Sequence, residues 1–192
     1  GKLGTLPAGT EVYAVGISGS FCKVQNEAGT VTGYVYTSCL SKTKPSSSTS
    51  TLEENKAKVI KLDWFESGRY LVNKGSYYYI YDIKSAQMIR IRYTCGTNHM
   101  DVETATKEDT AKLLKACGGW SWERRSVILI AEGKCIAASI NCMPHGGDEE
   151  LSDNGMDGVI CLHMTNSKTH GSDSVDSDHQ AAIEAAYKWA HG

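Results

Sequence analysis

Between Met143 and Gly171 the chain reads MPHGGDEELSDNGMDGVICLHMTNSKTHG, which brings together three of its six histidines and one of its seven cysteines. A cysteine that attacks a carbonyl needs a base to take its proton and donors to hold the oxyanion that forms. His145 precedes Gly146-Gly147 on what reads as a loop, which would expose its imidazole. Cys161 lies in the apolar run VICLHM, which reads as a strand and would hold the sulfur rigidly. The pair predicts a thiol nucleophile with an imidazole base. The competing expectation is an inert strand thiol, since apolar flanks on both sides are the usual home of such cysteines. His163 reads either as a third polar group of the site or as a cross-strand partner that orients a neighbour.

The segment Trp120-Ser121-Trp122-Glu123-Arg124-Arg125 offers guanidinium groups for a substrate carboxylate, on Arg124 and Arg125, with the Trp122 indole packed alongside. Its alternative is a strand whose tryptophans cap the core and whose arginines are solvated or paired with Glu123. His99 has no assigned role. His145, Asp153, His163 and His170 could supply nitrogen and oxygen ligands to zinc, but their spacing does not reproduce His-Glu-x-x-His, and the cysteines make no CxxC pair. The expectation is therefore no metal and no cofactor.

These residues need a scaffold, and the sequence supplies a mainly β one. Val59–Phe65, Arg69–Asn73, Ser76–Ile83 and Met88–Cys95 read as a β-meander. Thr106 and Asp109 form a capping box for a short helix over Thr110–Cys117, stopped by Gly118-Gly119. Strands over Ser126–Gly133 and Cys135–Met143 follow, then the Gly- and Asp-rich loop 145–158 and the Cys161 strand. A last helix is expected over Asp178–Ala190 behind an Asp176-Ser177 cap.

Upstream, residues 3–40 read as short strands between turn glycines, and 41–56, SKTKPSSSTSTLEENK, as a flexible linker. The domain boundaries expected are 1–40, 41–56 and 57–192. A chain of 192 residues with 41% hydrophobic and 22% charged residues builds a core. Its 20 basic and 22 acidic residues leave a net charge of -2, which argues against a nucleic-acid partner. No apolar run approaches the ~18 residues of a membrane span. Gly1 opens in the middle of a domain, so a leader ahead of it is expected. The odd cysteine count, at 22, 39, 95, 117, 135, 142 and 161, leaves at least one thiol unpaired in a monomer.

Leu6-Pro7-Ala8-Gly9-Thr10, Phe21-Cys22-Lys23-Val24 and Gly33-Tyr34-Val35 resemble the bacterial SH3 family, whose opening strand, with its Asn-Val-Arg stretch, is missing. His145-Gly146, a Gly-rich gap, and Cys161-Leu162-His163-Met164-Thr165-Asn166 resemble the L,D-transpeptidase motif of the YkuD-like family, His-Gly followed by Ser-x-Gly-Cys-Ile-Arg-Met-x-Asn. Gly158 stands where that motif has Ser, Ile160 where it has Gly and His163 where it has Arg. The resemblance implies a small SH3-like barrel joined to a β-rich catalytic domain with two or so helices. It implies Cys161 as acyl acceptor, His145 as base and His163 as a further catalytic group. Gly146, Trp122, Arg124, Arg125 and His170, the last in an added Thr169-His170-Gly171-Ser172 segment, are expected to line the substrate. The implied protein is an extracellular, wall-associated monomer acting on peptidoglycan stem peptides. Two alternatives remain: a cysteine peptidase that hydrolyses those peptides, and a non-catalytic wall-binding protein.

Overall fold

Cys22 and Val24, either side of Lys23, suit a strand with one covered face, and the computed structural model shows one. Cys22 and Val24 are buried while Phe21 and Lys23 are exposed. The structure describes residues 10–26, 29, 32–40 and 56–192. The chain divides between Ser50 and Thr51 into two units. In the first, β1 (Tyr13–Ser18), β2 (Phe21–Gln25) and β3 (Thr32–Tyr36) form an antiparallel sheet in that order. Gly19, at φ +60°, makes the tight turn between the first two. Leu6–Gly9 and all of the expected linker but Lys56 lie outside the described residues.

The second unit holds β4 (Val59–Ile60), β5 (Tyr77–Asp82), β6 (Gln87–Cys95), β7 (Met100–Thr104), β8 (Ser121–Ala131), β9 (Lys134–Cys142) and β10 (Ile160–His163). Its longer helices are α1 (Lys107–Cys117) and α2 (Ser177–His191). Six strands close into a barrel in the order β5-β8-β9-β10-β7-β6, every neighbour antiparallel, and β4 adds to β9 in parallel. The protein is thus mainly β.

The period of two sorts β8 and β9 between two cores. Val127, Leu129, Ile136, Ala138 and Ile140 point into the barrel with Trp64, Ile80, Ile89 and Leu162. Ile128 and Ala137 point outward, under Ile183 and Ala186 of α2. Capping sets both helices where the sequence puts them: Thr106 accepts from the Asp109 N–H, and Asp176 accepts from the N–H groups of Asp178 and His179. A disulfide joins Cys117, at the end of α1, to Cys142, at the end of β9. Among the described residues no helix is long and apolar enough to cross a membrane.

Three expectations are corrected. The strands expected over Val59–Phe65 and Arg69–Asn73 give way, after β4, to a π-helical turn, Trp64–Gly68, that runs into Arg69–Leu71. Asp63 accepts from the N–H groups of Phe65 and Glu66 and starts the turn, and Trp64 buries its indole with Nε1–H donating to the Thr97 carbonyl at 2.8 Å. Gly68 is required there, since a Cβ would stand 2.6 Å from Met164 Sδ. Second, β7 is a strand that the polar alternation of Asp101 and Glu103 concealed. Third, Arg125 lies apart from Arg124 and outside the cavity lining. Consecutive strand residues face opposite ways, so Arg125 turns onto the core side, where its guanidinium grips the buried Asp82 carboxylate at 2.8 and 2.6 Å.

Arg125→Ala leaves that carboxylate buried and unpaired, so about 3–5 kcal/mol of stability should be lost. Guanidinium unfolding measures this as a lower midpoint, and a variant within about 1 kcal/mol of wild type would contradict the pairing.

Candidate active site

β7 and β10 pair with Cys161 opposite Asp101 and Leu162 opposite Met100. Met100, Val102, Ile160 and Leu162 enter the barrel, so alternation sends His99, Asp101, Cys161 and His163 to its outer face. The same register brings His99 beside His163, and their rings stack at 4.4 Å between centroids with planes 20° apart. On the other side β9 pairs His163 with Ser139, which places Ser139 and Asn141 on the same face. The N-terminus of α2 lies over this surface: His179 stacks on His163 at 3.7 Å and 2°, and its Nδ1 shares a 2.9 Å hydrogen bond with Ser139 Oγ.

Two loops complete the site. In the first, His145 exchanges 2.9 Å backbone hydrogen bonds with Val159, next door to β10. Its Nδ1–H donates to the Met143 carbonyl at 2.8 Å, which leaves the Nε2 lone pair 3.5 Å from Cys161 Sγ. Gly158 makes this approach possible. It sits at φ +88°, and a Cβ would fall 2.6 Å from the His145 carbonyl oxygen. In the second loop His170 donates from Nε2 to Asp101 Oδ2 at 3.0 Å.

Together His99, Trp122, Arg124, Asn141, His145, Cys161, His163, His170 and His179 line a cavity of about 290 Å³ along with Thr169 and Gly171. Five of the chain's six histidines therefore face one space, and among the described residues no carboxylate lines it. Arg124 is held by Asp176, the cap of α2, at 2.8 Å, and Trp122 tilts over His145 at 4.9 Å.

The charge states follow from the partners. Both ring nitrogens of His99 face acceptors, Nδ1 the Lys168 carbonyl at 2.6 Å and Nε2 the Asp101 carboxylate at 3.1 Å, so each donates and the ring is an imidazolium. Burial, the largest single influence, would depress the pKa of His99; the Asp101 hydrogen bond, Cys161 and the Lys168 carbonyl together outweigh it and raise the value to about 10. Asp101 is held below its ordinary range against its own burial by His99 and then His170. His163 goes the other way: burial first, then the charges of its neighbours, keeps it neutral, and its buried Nδ1 has no hydrogen-bond partner among the described residues. Burial and the Arg124 charge push His179 down to about 3.

Two sets of donor atoms could be imagined around a metal, His99 with Cys161 and His163, and His99 with Asp101 and His170. In the first, the His99 and His163 rings lie in separate, nearly parallel planes, so one ion cannot lie in both planes as their in-plane lone pairs require. In the second, hydrogen bonds already occupy the atoms concerned. Asp153 belongs to neither set.

Of the residues the sequence proposes, Cys161, His145, His163, Trp122, Arg124 and His170 line the cavity; Gly146 and Arg125 do not. Met164 and Asn166 of the motif serve the scaffold instead, Met164 fully buried in the core and Asn166 donating to Asp63. Asn141 accepts the Cys161 N–H at 2.7 Å. Sequence reasoning missed Asn141, His179, His99 and Asp101. The signal for the last two was present as His99-x-Asp101 set against Cys161-x-His163, two period-two pairs that one antiparallel register superposes. No protein-family model, no curated protein and no solved structure matches the chain. Fold and site define a β-barrel protein with a thiol–imidazole pair in a histidine-lined cavity.

Gly158→Ala should push the His145 backbone away and slow His145-assisted alkylation of Cys161 about tenfold or more in a fold that still melts cooperatively; an unchanged rate would show that the contact does not set the pair. Stability should fall on both sides of a maximum near neutral pH. His99, raised, contributes fully below about 6.5 and loses its contribution as pH rises through about 10. His163 and His179, depressed, contribute above about 6.5 and lose it as pH falls toward 3. Melting temperatures across this range test it, with His99→Gln expected to flatten the alkaline side alone.

Proposed function

We propose that the protein is a cysteine-dependent acyl transferase of the L,D-transpeptidase type, acting on peptidoglycan stem peptides. The observation that carries this reading is the 3.5 Å contact between Cys161 Sγ and His145 Nε2, with the imidazole oriented by the Met143 carbonyl at the edge of a cavity. The thiol proton passes to His145 Nε2, the sulfur attacks the donor carbonyl, and the protonated His145 returns its proton to the leaving amine as the thioester forms. A second amine then attacks the thioester and releases Cys161.

Arg124 and His170 suit this substrate class, because stem peptides carry carboxylates and the cavity lining presents cations and imidazoles without an acid. The Cys161 N–H is donated to Asn141, so side-chain donors of the lining, Arg124 and His170 among them, would meet the oxyanion. The Cys117–Cys142 disulfide supports an oxidising, extracellular setting. In this reading the first unit, with its SH3-like sequence, helps hold the protein at the wall.

Incubation with a carbapenem, an acylating probe of such sites, should add one probe mass to wild type and none to Cys161→Ala. A cysteine that alkylates readily yet takes up no acyl group from either carbapenem or a stem tetrapeptide would overturn the reading. With a tetrapeptide and an added amine, a cross-linked product identifies transfer, and tripeptide alone identifies hydrolysis.

A further inference from the structure

Moving the Cys161 proton to His145 leaves a thiolate inside the cavity, and something fixed must stabilise it. The sulfur's own backbone N–H does not serve, because it is already given to Asn141 Oδ1. His163, the next imidazole on the same strand, is neutral. His99 is different. Its ring lies beside the sulfur, with an atom each of His99, Cys161 and His163 all within 4.8 Å of one another, and both its nitrogens point at acceptors.

We infer that His99 is a second catalytic imidazole, a fixed cation clamped between Asp101 and the Lys168 carbonyl, whose task is to stabilise the Cys161 thiolate while His145 alone carries the proton. The inference rests on Cys161 being the nucleophile. Labour is thereby divided between the two rings that flank the sulfur. His145 is anchored by a neutral carbonyl and can gain and lose a proton; His99 is anchored by a carboxylate and keeps its own. The groups facing His99 are Asp101 on β7, which His99 immediately precedes, Cys161 and His163 on β10, and His170 with the Lys168 carbonyl from the loop that follows; His179 of α2 lies behind His163. Among these Asp101 is the one acid, so removing its charge frees His99 to titrate. An opposite charge at such a distance typically shifts a thiol–thiolate balance by about tenfold or more.

The test reads Cys161 alkylation by iodoacetamide in the full chain, resolved by peptide mass analysis because Cys22, Cys39, Cys95 and Cys135 are also free. Wild type is compared with Asp101→Asn from pH 5.5 to 9.5. Without the carboxylate, burial favours the neutral form of His99, so the variant should need a higher pH to form the thiolate: it should react about tenfold more slowly or worse at pH 5.5 and approach wild type toward pH 9.5. A merely structural role for Asp101 would slow the variant by the same factor at every pH, and such a pH-independent ratio would overturn the inference. Ring ¹⁵N signals of wild type need no variant: two protonated nitrogens on His99 at pH 8.5 are expected, and one would refute the fixed cation. Alkylation uses no acyl donor. Should the carbapenem adduct fail while these results hold, the acyl-transfer reading falls and the His99 assignment stands.

Discussion

The pairing of Cys161 with Asp101 across β7 and β10 is the constraint on which the site depends. Because alternate residues share a face, that one register places four polar side chains in a two-by-two block on the outside of the barrel, over a fully buried floor of Met100, Val102, Ile160 and Leu162. A slip by a single residue would send the thiol into the core and bring Leu162 out. The barrel's closure makes such a slip costly, since β10 is held on its other edge by β9 and has no free side along which to slide.

The loops are tied to the same block by buried polar groups. Glu103, on the outer face of β7 and fully buried, accepts from the backbone N–H groups of Glu150 and Leu151 and from the Asn154 amide. Asn154 also donates to the Thr104 carbonyl, so the chain from His145 to Gly158 returns to β10 along a fixed path. Gly158 then lets that return touch the His145 backbone. Asp176 does comparable work on the other side: one carboxylate caps α2, which sets His179, and holds Arg124 over the cavity. A polar group that serves as both cap and clamp couples helix position to side-chain position.

This division explains what could be read in advance. The β character, both helices with their caps, the hairpin at Glu132-Gly133 and the Cys161–His145 pair were legible because each rests on local chemistry: a period of two, a capping box, a glycine turn, a loop histidine before a strand thiol. β7 was not, since its alternate residues Asp101 and Glu103 are buried by tertiary contacts that a polar pattern conceals. The turn at Trp64–Gly68 was hidden for the converse reason, an apolar run drawn into a π-helical turn by Asp63 and by the room Gly68 leaves for Met164. His99 and His179 lie 64 and 16 positions away from His163 in sequence and meet it only through strand register and helix docking. Arg125 was assigned to the cavity with Arg124 because adjacency in sequence was taken as adjacency in space, and a strand forbids that.

The stack of His99, His163 and His179 also limits how charge is shared. Two imidazoliums in face-to-face contact would repel strongly at the low effective dielectric of a buried site, so a charged His99 requires a neutral His163, while burial and the Arg124 charge keep His179 neutral as well. Asp101 decides which ring carries the charge, because it reaches His99 and neither of the others. The charge is thereby kept at the end of the stack nearest the sulfur, and the neutral His163 separates it from α2. This arrangement carries a cost. Among the described residues nothing meets the buried Nδ1 of His163, and a polar atom so placed typically costs about 1–3 kcal/mol. A fold optimised only for stability would replace His163 with an apolar residue of similar shape. Retaining an imidazole between a fixed cation and a helix N-terminus makes sense where the ring must accept the face of a charged neighbour without competing for its proton, and burial enforces that condition.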